Sequence, residues 1–509
     1  MMHKPPPYPK IMKSQTLAII AFFILLTMGS CSGTKPLEAD IFETSASGHK
    51  LTRITEFPAT GDRVEILILP QERFQTMTGI GGSFTEASAY LLNQLSRQNR
   101  EKVLEAYFGD AGARYSLTRT HMNSCDFSLG NYSYAPVEGD LELAHFSIEE
   151  DLDDIVPMIR DAMAISSDGF KIISSPWTAP PWMKDNNDWR GGRLLPEYYE
   201  AWALFFSKYL DAYREQGIDI WAFTVENEPL GNDSNWESMH FTPQEMNDFV
   251  KNHLGPRLRA DGQEVKILGY DQNRDAELIE WVDAMYDDEE AAQYYDGTAV
   301  HWYGSTFYHF PDALQYAYNK APGKHLIQSE GCIDAEVPHW QDDGWYWSKE
   351  ATDWGWDWAP EDRKHLHPKY VPAFRYARDI IGCLNNWVDG WVDWNMVLDR
   401  QGGPNWAQNW CVAPVIVDPD RDEVYFTPLY YIMAQFSRYI RPGAVRIGFE
   451  NPDPDLWVTA VQNPDESISV VVFNPGEEVR GIRLSLHGRS VASAVSAKAV
   501  QTIVIPAGE

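Results

Sequence analysis

Cysteine is scarce in this sequence, with 5 residues among 509. There is no Cys-x-x-Cys pair and no zinc-ligand spacing, and the cysteines are too few to form a disulfide scaffold for a chain of this length. Cys125, Cys332, Cys383 and Cys411 follow the N-terminal region. Four cysteines allow three pairings, between which the sequence does not choose, and we expect them to be buried thiols.

Positive charge is scarce as well. Lysine and arginine total 42 against 74 aspartates and glutamates, which gives a formal net charge of −32. Such a surface repels nucleic-acid backbones, so a nucleic-acid binder that works by neutralising phosphates is excluded. The 44% hydrophobic and 23% charged residues are typical of a globular protein.

Long apolar segments are absent: no stretch after residue 30 reaches the roughly 18 residues of a membrane-spanning helix. Near the N-terminus, Lys4, Lys10 and Lys13 precede the apolar run at residues 17–26. This run is too short to span a bilayer and has the length of the apolar region of a signal peptide.

The small residues Gly29 and Ser30 directly precede Cys31 and resemble a bacterial lipobox. We therefore expect residues 1–30 to be a signal peptide, cleaved before Cys31, with a lipid anchor on the thiol of Cys31. The alternative is an ordinary signal peptide followed by an incidental cysteine. The first interpretation predicts an exported lipoprotein of the bacterial cell envelope, at the outer membrane or cell surface, that contacts the membrane only through its anchor.

Aromatic residues, in contrast, are abundant, with 20 Trp, 25 Tyr and 22 Phe. Aromatic rings stack on the C–H faces of sugars, so an acidic chain rich in them favours carbohydrate ligands. Composition alone leaves open the alternative that the rings fill large cores.

Strand-like apolar runs alternate with helical stretches between residues 78 and 414. This alternation predicts an α/β fold, a (β/α)₈ TIM barrel that forms the catalytic domain. The eight strand candidates are residues 79–84, 115–123, 170–177, 220–228, 265–271, 297–303, 325–330 and 390–396. Helical patterns lie between them, among others at residues 196–215, 242–253, 275–286 and 369–383.

Segments with a β pattern flank the predicted barrel on both sides. Residues 31–77 contain strand candidates at 50–55 and 63–69, of which the second alternates in part. From residue 415 to 509 the pattern is again β, with candidates at 456–461, 468–473, 481–486 and 499–505. We expect residues 31–77 to join residues 415–509 in one β-sandwich built from both chain ends.

Polar and aromatic side chains follow several of the predicted barrel strands, at the end where TIM-barrel enzymes carry their active sites. These candidates are Asp126 after strand two, Trp177 after strand three, Asn227 and Glu228 on strand four, His301 and Tyr303 on strand six, Glu330 on strand seven and Trp394 on strand eight.

Carboxylates on strands four and seven face each other across the mouth of such a barrel. Two carboxyl groups about 5–5.5 Å apart suit retaining glycoside hydrolysis, in which one attacks the anomeric carbon and the other acts as acid and then base. The spacing alone does not decide between Glu226 and Glu228 as the acid. A structural ion pair is the alternative for any single glutamate, and His301 or Arg119 is a candidate to tune the pair.

Motifs spread in order from residue 79 to residue 440 carry a family resemblance. They lie at residues 79–85, 124–128, 175–182, 226–229, 301–303, 329–332, 394–406, 426–431 and 436–440, and include Glu226-Asn227-Glu228-Pro229 and Ser329-Glu330-Gly331-Cys332. In these stretches the chain resembles glycoside hydrolase family 30. Ordered co-occurrence of this kind is more specific than any single motif.

The resemblance implies a retaining glycosidase on a TIM barrel with an attached β-sandwich. It assigns the acid/base to Glu228 and the nucleophile to Glu330, and leaves Glu226 a supporting role. It also implies that Asp126, Trp177, Asn227 and Trp394 bind the sugar, with His301 and Tyr303 beside the carboxylates.

The substrate implied by the resemblance is a carbohydrate or glycolipid with a β-glucosidic bond, either a β-1,6-linked glucan or oligosaccharide or a glucosylceramide-type lipid. Xylan and fucosides are the alternatives within the family. The sequence departs from the family at residues 230–240 and in an insertion at residues 337–360 that holds six tryptophans. Both are expected to border the aglycone, whose identity stays open.

Two other functions compete with hydrolysis by paired glutamates. A glycan-binding lipoprotein with an inactive barrel would need one carboxylate replaced, yet both Glu228 and Glu330 are present. A metal-dependent barrel hydrolase would need His/Asp clusters at strand ends. His365 and His367 precede Pro368 without a second cluster, so we expect no metal and no cofactor.

Overall fold

The computed structural model describes residues 35–58, 61–305, 307–334 and 371–508. The expected signal peptide, Cys31, the Trp-rich insertion at residues 337–360, and His365 and His367 lie outside these ranges. Within them, no helix combines the length and the apolar character needed to cross a membrane.

Eight parallel strands close into a barrel, which confirms the predicted TIM barrel. In chain order, strands one to eight are Gly79–Phe84, Leu117–Met122, Lys171–Pro176, Ala222–Thr224, Lys266–Asn273, Tyr295–His301, His325–Glu330 and Gly390–Asp393. Strand eight pairs in parallel with strand one, so that the sheet has no free edge.

Strand one approaches strand two closely at a glycine. A Cβ atom at Gly81 would lie 2.2 Å from the carbonyl oxygen of Leu117, so this position tolerates no side chain. Below the mouth, the barrel interior is filled by apolar side chains, one from each of strands two to eight: Leu117, Ile173, Ala222, Leu268, Ala299, Ile327 and Val392. These side chains form a solid floor under the strand ends.

Helices surround the barrel. The α-helices are Glu86–Gln94, Arg97–Phe108, Ile155–Ile165, Tyr199–Glu215, Pro243–Phe249, Gly255–Ala260, Ala276–Asp287, Glu289–Ala292, Pro311–Lys320, Val371–Asn385 and Pro428–Ser437. The local sequence determines where several of these helices begin. Thr242, for example, caps a helix with Pro243 in its first turn and forms a reciprocal capping box with Glu245.

Ten strands from both chain ends form the second unit, which confirms the predicted sandwich. Across the sheet they are Lys35–Pro36, Arg489–Val495, Arg480–Leu486, Val64–Thr76, Val445–Glu450, Trp457–Gln462, Ile468–Asn474, Ala499–Ile505, Asp40–Ser45 and Thr52–Arg53. Ile66, Ile447, Val470 and Ile482 belong to its separate apolar core.

The sandwich strand Ile468–Asn474 is buried on both faces. Val470 and Val472 point into the sandwich core, whereas Val471 and Phe473 belong to the core shared with the barrel. The ring of Phe473 lies 5.1 Å from that of Phe374 on the helix Val371–Asn385. The two units therefore share a continuous apolar contact.

The helix Pro428–Ser437 interrupts the region in which the sequence pattern predicted strands from residue 415 onward. Nine of its ten residues are buried, so it lacks the polar stripe by which an amphipathic helix is recognised. It lies between the units: Gln435 accepts a hydrogen bond from Thr502 of the sandwich (2.6 Å), and Ser437 donates one to the carbonyl of Ala113 (2.7 Å).

Candidate active site

A cavity of about 310 Å³ opens at the carboxyl ends of the barrel strands. Of the eight residues predicted for the site, seven line it: Asp126, Trp177, Asn227, Glu228, Tyr303, Glu330 and Trp394. The eighth, His301, is fully buried and contacts Glu228. The structure thus brings together all the site residues that the strand ends suggested, at one end of the barrel.

Glu330 is the last residue of strand seven and is held from two sides. Arg119 of strand two donates to Oε2, and the hydroxyl of Tyr303 donates to Oε1 at 2.9 Å. Burial raises the pKa of Glu330, and the positive charges of His301 and Arg119 oppose that rise. These donors fix the orientation of a carboxylate that faces the cavity.

Glu228 follows strand four in a left-handed backbone conformation, with φ 50°. Its amide donates to the carbonyl of Asp271 on strand five (3.0 Å), and its carboxylate lies 3.2 Å from Nδ1 of His301. A positive φ at a non-glycine residue is costly and is found where the surroundings impose it. Here it turns Glu228 into the cavity, where its side chain is 18% exposed.

Oxygens of Glu228 and Glu330 and a ring nitrogen of His301 all lie within 4.8 Å of one another. Burial opposes protonation of His301, but the carboxylates of Glu330 and Asp271 outweigh it and raise the pKa of His301 to about 10. His301 is therefore an imidazolium at neutral pH. Both ring nitrogens then serve as donors, one to Glu228 and one to Asp271.

Arg119 connects the parts of the site. Besides Glu330 it donates to Asn227 (2.8 Å) and Asp271 (2.7 Å). Its guanidinium also lies 5.0 Å from the ring of Trp177 and 5.2 Å from that of Trp394. The two indoles line the cavity and stack at 4.8 Å, and the buried cation packs against both.

Asp271 is a site residue that sequence reasoning did not single out. It is fully buried at the end of strand five, where it accepts from Arg119, His301 (3.0 Å) and Ser329 (2.5 Å). Burial favours the neutral acid, yet the charges of Arg119 and His301 hold the pKa of Asp271 well below its usual range. Its position at the end of the predicted strand 265–271 was the signal available from the sequence, and in the structure its backbone is left-handed, with φ 58°.

Asp126 is held in the cavity by the loop after strand eight. Asn405 and Asn409 donate to its Oδ2 at 3.2 and 3.3 Å. Burial, together with the nearby Glu330, raises the pKa of Asp126 well above its usual range. No sequence pattern pointed to Glu237, a buried carboxylate that accepts from Ser124 at 2.8 Å and from Trp406 of the same loop at 2.9 Å.

Glu226 lies outside the cavity, although it is two residues from Glu228. It is fully buried, and its carboxyl oxygens accept no hydrogen bond from the described residues. Burial raises the pKa of Glu226 well above its usual range, in spite of the charge on Lys184. This placement separates the two glutamates between which the sequence spacing left a choice.

The outer part of the cavity is rich in amides. Asn232, Gln272 and Asn273 line it together with Trp236. Asn232 and Trp236 belong to the segment 230–240 in which the sequence departs from the family it resembles. Gln272 accepts a hydrogen bond from the amide of Leu230 at 3.3 Å, which ties this segment to strand five.

Two family models match this chain. The glycosyl hydrolase family 30 TIM-barrel domain matches residues 77–440, and the glycosyl hydrolase family 30 beta sandwich domain matches residues 443–503. Together they cover the barrel and the C-terminal part of the sandwich, whereas the sandwich strands before residue 77 lie outside both matches.

Curated proteins similar to this chain are glycoside hydrolases as well. The lysosomal acid glucosylceramidase of Mus musculus is 34% identical over 429 residues, 82% of this chain and 79% of the relative. The endo-1,6-beta-D-glucanase of Neurospora crassa is 27% identical over 96% of this chain and 98% of the relative.

The solved structure of the endo-beta1,6-glucanase BT3312 is 30% identical, with a TM-score of 0.78 over 92% of this chain and 99% of that one. SrfJ from Salmonella typhimurium has a TM-score of 0.80 at 29% identity, with the same coverage. The chain therefore belongs to glycoside hydrolase family 30 and is a glycoside hydrolase.

Proposed function

We propose that this protein is a retaining β-glycosidase in which Glu330 is the nucleophile and Glu228 the acid/base. The observation that carries the proposal is the approach of their carboxylate oxygens to within 4.8 Å at the ends of strands seven and four. Retaining enzymes place their carboxyl groups about 5–5.5 Å apart, whereas inverting enzymes separate them by about 6.5–9.5 Å to admit a water.

In the first step, an oxygen of Glu330 attacks the anomeric carbon while the bond to the leaving oxygen breaks. Glu228 gives its proton to that oxygen. Arg119 and Tyr303, which donate to Glu330, hold the carboxylate in place, and the charge of Arg119 opposes the rise in its pKa that burial causes.

In the second step, Glu228 acts as a base. It takes a proton from water, whose oxygen attacks the anomeric carbon and releases Glu330. Two inversions leave the configuration of the sugar unchanged.

The sugar that reacts occupies the inner part of the cavity. Asn227 is held by Arg119 beside the carboxylates and is placed to bind the 2-hydroxyl. Asp126 supplies an acceptor or, in its neutral form, a donor to other hydroxyls. Trp177 and Trp394 provide apolar walls for the C–H faces of the ring.

We further propose a β-glucosidic substrate, with a β-1,6-linked glucan or oligosaccharide first and a glucosylceramide-type lipid second. The amides Asn232, Gln272 and Asn273 support a sugar as aglycone because they offer paired donors and acceptors to hydroxyls. The 34% identity to a lysosomal acid glucosylceramidase supports the second candidate.

One set of assays tests mechanism and substrate together. Hydrolysis of a β-1,6-glucan, laminarin and glucosylceramide is compared at equal enzyme concentration, and the first-formed anomer is read by NMR. We expect the β-anomer to appear first and the β-1,6-glucan to be cleaved fastest. An α-anomer formed first would overturn the double displacement, and fastest cleavage of glucosylceramide would reverse the order of substrates.

For localisation we propose an exported lipoprotein anchored through Cys31, supported by the apolar run at residues 17–26 and the small residues before that cysteine. Metabolic labelling with a fatty acid in bacteria should mark the wild type, and Cys31→Ala should abolish the label. A wild type without label would refute the anchor.

A further inference from the structure

Two of the four cysteines in the described part of the chain meet beside the candidate nucleophile. Sγ of Cys332 lies 3.0 Å from Sγ of Cys411, although 79 positions separate them in the sequence. Both side chains are buried, at 3% and 2% exposure. The contact therefore arises from the fold, and Cys332 is reached only from the cavity that it lines.

The backbone around the two sulfurs is fixed by a short antiparallel ladder. Ile333 pairs with Val412 and Asp334 with Cys411, which joins the segment after strand seven to the segment that follows strand eight. Since the ladder sets the distance between these segments, the sulfurs need to approach by only about 1 Å to reach bonding distance.

The other two described cysteines provide a contrast within the same molecule. Sγ of Cys383 lies 3.1 Å from a guanidinium nitrogen of Arg274, and Sγ of Cys125 lies 3.9 Å from the hydroxyl of Ser128. Both are fully buried among polar groups. The neighbours of these two sulfurs are a nitrogen and an oxygen atom, so Cys125 and Cys383 serve as internal controls for disulfide formation.

We propose that Cys332 and Cys411 form a reversible disulfide, a redox modification site built into the wall of the active-site cavity. Cys332 lines that cavity, whereas Cys411 lies behind it. The hydroxyl of Tyr303 links the pair to the carboxylate, since it lies 3.3 Å from Sγ of Cys332 and 2.9 Å from Oε1 of Glu330.

The chemistry is thiol–disulfide exchange with an external disulfide, such as oxidised glutathione. The thiolate of Cys332, reached through the cavity, attacks that disulfide and releases one thiol. The thiolate of Cys411 then attacks the sulfur of Cys332 and releases the second thiol. The two protein thiols lose two protons and two electrons, and the oxidant is reduced to two thiols.

The modification has a structural effect that can be measured. A disulfide between Cys332 and Cys411, which are 79 positions apart, restricts the conformations of the unfolded chain. The oxidised protein should therefore unfold at a temperature about 5 °C higher than the reduced protein.

The test starts from the full chain, reduced with dithiothreitol and then treated with oxidised glutathione. Each sample is denatured without reductant, alkylated and mapped by peptide mass spectrometry. We expect the peptides of Cys332 and Cys411 to be linked, and those of Cys125 and Cys383 to carry the alkyl label. Renewed reduction should restore labelling of all four.

The variants Cys411→Ser and Cys411→Ala remove the second thiol. In either variant Cys332 should keep a glutathione adduct after the same treatment, and oxidation should no longer raise the unfolding temperature. Alkyl label on both Cys332 and Cys411 in the oxidised wild type would overturn the proposal. So would an equal rise in unfolding temperature in the wild type and in a folded variant.

Discussion

Arg119 and Asp271 form an ion pair from which solvent is wholly excluded, with Nη2 and Oδ2 2.7 Å apart. The residues come from strands two and five, so the pair spans the inside of the barrel beneath the cavity. Arg119 also binds Glu330, and Asp271 also binds His301. One buried contact thus sets the position and charge of groups on both sides of the candidate nucleophile.

Loss of this contact should destabilise the protein. Asp271→Asn keeps the shape but leaves Arg119 and His301 without one carboxylate, and removal of one partner from a buried ion pair costs about 3–5 kcal/mol. We expect the free energy of unfolding, measured by denaturant titration, to fall by about that amount. The matched control is Asp219→Asn, where the carboxylate lies 4.0 Å from Arg214 and is 90% exposed, and there we expect less than about 1 kcal/mol. Similar losses in both variants would contradict the role given to the buried pair.

Replacement of Glu330 should abolish the covalent step for every substrate. Under the proposed mechanism, Glu330→Gly lowers kcat by ~10⁴-fold or more. Azide should restore the rate by direct attack from the side of the missing carboxylate, which yields an α-glycosyl azide. The anomer is read by NMR, and a β-azide would reverse the assignment.

The effect of replacing Glu228 on the rate should depend on the leaving group of the substrate. Glu228→Ala should retain most of the rate of the first step with a good aryl leaving group, and lose ~10²–10⁴-fold with an unactivated sugar. Azide should trap the intermediate as a β-glycosyl azide. Glu226→Gln is the matched control because it changes a glutamate two residues away that lies outside the cavity, and it should show no azide rescue. Leaving-group dependence in Glu226→Gln instead would move the acid role to that residue.

The stability of the protein should depend on the proton of His301. Its pKa is raised from 6.5 to about 10, so the folded state holds this proton more tightly than the unfolded chain. The stabilisation is therefore complete below pH 6.5 and lost as the pH rises through about 10. The difference in unfolding free energy between wild type and His301→Gln should shrink over this range. A difference that stays constant with pH would mean that His301 is neutral, and His145→Gln, at an exposed histidine, is the control.

The barrel was predictable because each of its strands is a buried run bounded by turn residues. The residues at which the strands end were less predictable from the sequence. The run at residues 220–228 forms strand only at Ala222–Thr224, because the backbone then leaves the ladder to bring Glu228 into the cavity. Chemistry therefore overrides strand propensity at this site.

Site residues that act through tertiary contacts could not be predicted from the sequence. Asp271 resembles any aspartate at a strand end until the fold brings Arg119 and His301 to it. Glu237 lies in a loop without periodicity, and its partners Ser124, Asn131 and Trp406 come from distant segments. Glu226 and Glu228, indistinguishable by spacing, differ in the direction that the backbone gives their side chains.

The antiparallel pairing of Asp40–Ser45 with Ala499–Ile505 has a consequence for biosynthesis. The first of these strands leaves the ribosome long before its partner, because the two are far apart along the chain. The sandwich is completed only after Ala499–Ile505 has been synthesised, and until then the strand Asp40–Ser45 has an unpaired edge. Any nascent chain that stops before residue 499 keeps this edge and that of Ile468–Asn474 exposed, which makes such fragments prone to aggregation.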